Sequence, residues 1–330
     1  MDHFTSTIPL QKFASHPVPT QASVKKRLGW RRAAVALALP LAFGVLLAPL
    51  PAAASASAVP GLSHIIVVVM ENHSIGELTG LPYISGLIRR STLFTQSFAI
   101  THPSQPNYLA LWAGSTLGIS NDDCPAPGSP FTAENLGHAC EAAGLRWKAY
   151  CENLPAPGSP DCETTDGLYR RKHAPWTNFS NLNHLNEVPY TQLASDIARG
   201  TLPALAFVVP NMCDDMHDCS TTVGDTWLSN NLPAMISAVG TQGVVILTCD
   251  EDDKRSHNNI LTVFAGSGVR AGYTSSTKIT HYTIVRTICD ALRLNPFALA
   301  TSETPITDVW LGATPVALRS WGQVKTIYRQ

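Results

Sequence analysis

The 330-residue chain carries 23 Lys and Arg against 24 Asp and Glu, a net charge of −1, and is 45% hydrophobic with eight cysteines. Six of the bases and one acid fall in residues 1–57, so the remainder holds 17 bases against 23 acids, a net charge of −6. That balance leaves no extended basic run and excludes nucleic acid as an expected partner, while the roughly 270 residues beyond the N-terminal segment suffice for one large domain with a substantial core.

The N-terminal segment has the order of a secretory signal: "KKRLGWRR" (25–32) is basic, and "AAVALALPLAFGVLLAPLPAAASASA" (33–58) is apolar, interrupted by proline and closed by small residues. The apolar run approaches spanning length, but its prolines and A-x-A repeats favour cleavage, with no stable membrane span left afterwards. The Arg31-Arg32 pair also permits twin-arginine export. The expected division is a signal over 1–57 and one catalytic domain over 58–330, delivered to the cell envelope or beyond. All eight cysteines lie past the signal, and an even number in an exported chain reads as a disulfide framework. Cys151–Cys162 and Cys213–Cys219 are candidate local closures, although spacing alone leaves the connectivity open. No C-x-x-C pair supports a zinc site.

Along the exported part, "HIIVVVM" (64–70), "LRWKAYC" (145–151), "ALAFVVP" (204–210), "GVVILTC" (243–249) and "ILTVFAG" (260–266) read as buried strands. Helical patterns fall between and after them at 191–200, 225–240 and 281–292, the first two ending on glycine. The alternation predicts an α/β sandwich around a largely parallel sheet. The Gly- and Pro-rich stretches 124–130 and 154–160 are loops.

The residues just past the strands carry the chemistry. Glu71-Asn72 comes after the first, Glu152 after the second, "NMCDDMHD" (211–218) after the third and "DEDD" (250–253) after the fourth. In open parallel sheets the strand carboxyl ends build sites, so these polar clusters are expected on one edge. Glu71, Asn72 and Asp250 are hard oxygen donors, suited to Mg²⁺, Ca²⁺ or Mn²⁺ before a soft thiolate-type metal. Asp252 and Asp253 are expected in solvent. In "THPSQPNYLAL" (101–111) a serine, Ser104, stands between prolines at the entrance of an apolar, helix-like run. One reading is a plain helix cap. The other is a nucleophile, because a phosphoryl oxygen rests well on free N–H groups at a helix start and a nearby cation activates the hydroxyl. Thr101 is the competing hydroxyl.

Taken in order, "HIIVVVMENHS" (64–74), "THPSQPNYLAL", "PNMCDDMHDC" (210–219) and "VVILTCDEDD" (244–253) resemble the bacterial phosphoesterase family of secreted acid phosphatases and phospholipases C, within the alkaline-phosphatase superfamily. The resemblance spans residues 62–310 and implies an alkaline-phosphatase-like α/β sandwich. By it, Ser104 is the nucleophile, Asn107 supports its turn, and Glu71, Asn72, Asp250 and Glu251 form the metal and nucleophile pocket. Asp250-Glu251 stands where two-zinc members carry Asp-His, which argues against a dinuclear zinc centre and implies one hard cation, Mg²⁺, Ca²⁺ or Mn²⁺ before Zn²⁺, or a weak metal dependence, with Asp214 of the "DDMHD" cluster a further candidate cation ligand. "YRRKHAPW" (169–176) is similar to a family segment and makes His173 a phosphate-pocket candidate. His217 is a candidate to protonate the leaving group, with His257 and His281 as substrate-binding candidates.

The expected function is a secreted phosphomonoesterase working through a phosphoserine at acidic to neutral pH. Its substrate would be a small phosphate ester or a phospholipid headgroup, a phosphoinositide included because members of similar motif style are phosphatidylinositol-3-phosphatase-like. A phospholipase C and a non-catalytic secreted binding module are the alternatives.

Overall fold

The computed structural model describes residues 59–311; the signal-like segment 1–57 lies outside them. The strands are β1 (His64–Met70), β2 (Thr92–Phe94), β3 (Ser97–Phe98), β4 (Trp147–Cys151), β5 (Glu187–Pro189), β6 (Leu205–Val209), β7 (Gly243–Cys249), β8 (Thr262–Ala265), β9 (Tyr273–Ser275) and β10 (Ile279–Thr280). The helices are α1 (Ile75–Leu78), α2 (Pro82–Ile88), α3 (Ser104–Ala113), α4 (Leu136–Ala142), α5 (Gln192–Ala198), α6 (Thr221–Ala238) and α7 (His281–Leu292).

Eight strands form one sheet in the order β5-β4-β6-β1-β7-β8-β2-β9, and β3 and β10 pair separately. β1 lies parallel between β6 and β7, and β4 and β5 continue the parallel run. β8 reverses it, pairing antiparallel with both β7 and β2. The mostly parallel sandwich expected from the alternating pattern is therefore present, with one reversal that the sequence does not announce.

Strand alternation explains the layers. Ile65, Val67 and Val69 of β1 enter a core with α3, α4 and α7, whereas Ile66, Val68 and Met70 enter a second core with α2, α5 and α6. A sheet covered on both faces needs strands apolar at every position, and β7 is buried along its whole length. Every residue of α3 is buried, the polar Ser104, Gln105 and Asn107 of its first turn included, so this helix presents no stripe to solvent. It ends at Gly114, whose φ of 62° is the left-handed conformation that glycine adopts without a Cβ penalty.

Two disulfides are present, Cys124–Cys162 and Cys213–Cys219. The second matches the local closure expected from spacing; the first corrects the expected Cys151–Cys162 pairing. Cys151 ends β4 in the sheet interior and is a buried free thiol facing Glu187, so Cys162 takes its partner from the loop after α3. Among the described residues, no helix is long and apolar enough to cross a membrane.

Candidate active site

Parallel pairing brings the ends of β1, β4, β6 and β7 to one edge, with Met70 level with Cys249 and Cys151 level with Val209. Backbone bonds then fix the first residues beyond the strands. The Glu71 N–H donates to the Asp215 carbonyl at 2.9 Å, and the Asp250 N–H to the Met70 carbonyl at 3.0 Å. Asn72 turns back with φ of 53°, a conformation asparagine tolerates, and its N–H donates to Asp250 Oδ1 at 3.1 Å.

Ser104 is the first residue of α3, and Pro103 holds the cap position. The hydroxyl caps nothing; it donates to Glu71 Oε2 at 3.0 Å. One turn later on the same helix face, Tyr108 donates to Glu71 Oε1 at 2.5 Å. Asn107 holds the turn that delivers Ser104. Its Oδ1 accepts the Ile100 and Thr101 N–H groups at 3.0 and 3.1 Å, and its Nδ2 donates to the Thr101 and Pro103 carbonyls and to Glu251. The competing Thr101 hydroxyl donates to the neighbouring His102 carbonyl at 3.2 Å.

The third wall is His173 with Asp215. His173 is buried and stacked on Tyr108 with ring centroids 4.9 Å apart. Its Nε2 is 3.3 Å from Glu71 Oε1, and its Nδ1 is 3.6 Å from Asp215 Oδ2. Burial, with Lys172 and His217 nearby, pushes its pKa well below the usual value, so the ring is neutral. Burial and the Asp250 and Asp215 carboxylates raise the Glu71 carboxyl well above its ordinary range. Burial raises Asp215 strongly in the same way, aided by Asp250 against a bond from the His217 N–H, and burial also raises Asp250. Donor atoms of Glu71, His173 and Asp215 lie within 4.8 Å of one another. Four buried atoms here have no hydrogen-bond partner: Asn72 Oδ1, His173 Nε2, Asp215 Oδ2 and Asp250 Oδ2. Buried acceptors left unpaired are costly, and a neutral imidazole among carboxylates and an amide oxygen is a donor set that fits a divalent cation.

Glu71, Asn72, Ser104, Asn107, His173 and Asp250 thus come together, and the remaining expected residues lie elsewhere. Asp214 stays outside the cluster, accepting from Asn211 Nδ2 at 2.9 Å; its neighbour Asp215 takes the inner place. Glu251 turns toward the nucleophile turn, accepting from Asn107 and lying 3.0 Å from His102 Nδ1, and burial with Asp250 pushes its carboxyl up to about 9. His281 opens α7 behind the cluster and donates from Nε2 to the Asp250 carbonyl at 2.7 Å, its pKa pushed down to about 4 by burial. It backs a strand end where a substrate contact was expected. His257 is exposed on the loop after β7. Asp252, expected in solvent, is buried and accepts from the Lys254, Ser256 and Asn258 N–H groups. Glu152 braces Trp227 Nε1 and the Asn211 N–H.

Beside the cluster opens a cleft of about 340 Å³ whose walls include Asp122, Arg170, Lys172, Met212 and His217. His217 lies there as expected, its Nδ1 2.7 Å from Asp218. The sequence reading missed Tyr108, Lys172 and Asp215. Tyr108 had a signal, because it sits four residues after Ser104 on a helix; Lys172 lies on a single 3-10 turn and Asp215 in the loop after β6, neither long enough to show a period.

The sequence pattern of the Phosphoesterase family matches residues 77–295. The chain is 40% identical over 260 residues to the phosphatidylinositol-3-phosphatase of Mycobacterium tuberculosis, covering 78% of this chain and 85% of that protein. It is 29% identical over 237 residues to an acid phosphatase of Aspergillus fumigatus, covering 67% of this chain and 53% of the relative. A phosphate-repressible acid phosphatase of Penicillium chrysogenum is 31% identical over 219 residues, with 62% and 53% covered. The chain thus spans about half the length of these two fungal relatives. A Vibrio parahaemolyticus protein of the alkaline phosphatase superfamily shares the fold, with a TM-score of 0.57 at 9% identity over 76% of this chain and 72% of that one. With its family pattern running from α1 to just past α7, and a relative matched over most of both chains, this protein belongs to the phosphoesterase family.

Proposed function

We propose that the protein hydrolyses phosphomonoesters through a phosphoserine formed on Ser104. The observation that carries this reading is the Ser104 hydroxyl, held 3.0 Å from Glu71 Oε2 at the entrance of a buried helix. As Ser104 Oγ bonds to phosphorus, its proton passes to Glu71, the bond from phosphorus to the alcohol breaks, and His217 in the cleft protonates the departing oxygen. Water then attacks the phosphoserine, returns a proton to His217, and releases phosphate as Ser104 recovers its proton from Glu71. Glu71, Asn72, His173, Asp215 and Asp250 would hold a divalent cation, Mg²⁺, Ca²⁺ or Mn²⁺ before Zn²⁺. Such a cation supplies charge neutralisation for the phosphoryl oxygens.

The relatives' names support this class of ester, and the mycobacterial one makes a phosphoinositide headgroup the first natural substrate to try. Export belongs to the same reading, supported by the basic-then-apolar N-terminal segment and by two disulfides. The test is phosphate release from a monoester and a diester by the purified protein, with and without a chelator, beside Ser104→Ala and Thr101→Ala. Ser104→Ala should lose about 10³-fold or more of the monoester rate, whereas Thr101→Ala should keep most of it. Full activity in Ser104→Ala, or cleavage of the diester alone, would overturn the proposal.

A further inference from the structure

We propose that Lys172 binds the phosphoryl group of the substrate, and that in the ester-free protein it waits on Asp122; the proposal rests on the phosphoserine reading above. Residues Arg171–His173 form one tight 3-10 turn. From it His173 turns inward to Glu71, and Lys172 turns to the cleft. The Lys172 side chain is only 16% exposed, with Nζ 3.1 Å from Asp122 Oδ2 and 3.3 Å from His217 Nε2. The other oxygen of Asp122 accepts the N–H of Gln105 at 2.9 Å, and Gln105 is the residue that follows Ser104. One carboxylate therefore spans the gap between the ammonium and the start of α3. An anion arriving at Ser104 would meet that same ammonium and the same helix start.

Charge counting gives Lys172 its task. Three buried carboxylates, Glu71, Asp215 and Asp250, face the place where a phosphate dianion must sit. A divalent cation leaves that set one charge negative, which repels the substrate. Lys172 is a cation whose field reaches all three. The other bases of the cleft are already matched, Arg170 with Glu163 and His217 with Asp218. Exchanging Asp122 for a phosphoryl oxygen would keep the ammonium paired throughout.

Inorganic phosphate, titrated calorimetrically into the full protein with a divalent cation in excess, reads this directly. Lys172→Met should weaken phosphate binding about 10- to 100-fold and raise KM in step, and Lys172→Arg should recover most of the loss. Asp122→Asn keeps an oxygen for the Gln105 N–H and removes the competing charge, so phosphate should bind about threefold or more tightly. A folded Lys172→Met that binds phosphate within threefold of wild type would overturn the proposal. So would an Asp122→Asn that binds it more weakly, a measurement that stands even where Lys172→Met fails to fold. A purely structural lysine would lower kcat in the Met and Arg variants alike and leave phosphate affinity unmoved. Ser104→Ala separates the two readings: activity surviving that change sinks the phosphoserine, while Lys172-dependent phosphate binding answers for Lys172 alone.

Discussion

Replacing Asn107 by leucine tests how Ser104 is held. The two side chains share the same branching and the position is fully buried, so the change removes polarity, and the bulkier leucine adds an overpacking cost to whatever the lost bonds cost. Five hydrogen bonds disappear. Their partners do not lose equally. The Thr101 carbonyl keeps Asn258 Nδ2 at 3.1 Å, and Glu251 keeps its contact with His102. The Ile100 and Thr101 N–H groups both rely on Asn107 Oδ1. Two orphaned donors at ~1–3 kcal/mol each give a loss of about 4 kcal/mol. Urea unfolding should show that loss as a lower midpoint at unchanged slope, and phosphatase activity should fall with it, since the turn that aims Ser104 at Glu71 is no longer pinned. A variant within about 1 kcal/mol of wild type and fully active would refute the reasoning.

Other changes probe different layers. Glu187 accepts from Tyr169 and faces Cys151, and burial pushes its carboxyl up to about 7. As pH rises past the ordinary carboxylate value, the unfolded chain gives up this proton first, so stability should fall up to about pH 7 and stay reduced above it. Glu187→Gln should remove that slope and stabilise the protein at pH 8 by roughly 3 kcal/mol, measured by denaturant unfolding at pH 5 and pH 8. Added Mg²⁺ or Mn²⁺ should raise Tm more at pH 7 than at pH 5, because Glu71 and Asp215 carry raised pKa values and must shed protons to bind it. Asp215→Asn should shrink that rise, and Asp214→Asn should leave it nearly unchanged. Breaking Cys124–Cys162 by Cys124→Ser frees a loop of 38 residues and should cost about 4 kcal/mol in a non-reducing melt, whereas Cys151→Ser should leave the disulfide intact by mass analysis.

The β1 and β7 runs were legible because a strand buried on both faces must be apolar throughout, and the polar residues directly after them had nowhere to go but the sheet edge. The direction of β8 was not, since parallel and antiparallel buried strands carry the same composition. Glu71, Asn72 and Asp250 stood out by their position after strands. Asp215 did not: inside a short loop closed by Cys213–Cys219, two adjacent aspartates differ only in backbone direction, and that is set by the Asn211 side chain and the Glu71 N–H. The Cys124–Cys162 pair joins segments brought together by tertiary folding, which local spacing does not register. Asp252 was misread for a related reason. An aspartate in a run of acids looks solvated, yet here it organises its own loop by accepting three backbone N–H groups.

The reversal at β8 divides the rim into two parts with different freedom to change. The chain leaves β7 at Asp250 and re-enters the sheet at Thr262 on the same edge, and on the way Asn258 reaches the Thr101 carbonyl. Lengthening this return would pull on Asp250 and on the serine turn together. The segment after β4 starts from the same edge but wanders through residues 152–186 before the short β5. It carries Arg170 and Lys172 on the cleft side, and Cys162 pins it to the loop after α3. Variation in this outer segment reshapes what the cleft admits while the donors at Glu71 and Asp250 stay fixed. For an engineer seeking a new ester, residues 154–168, with Cys162 kept for its disulfide, are the place to graft, and the β7–β8 return is the place to leave alone.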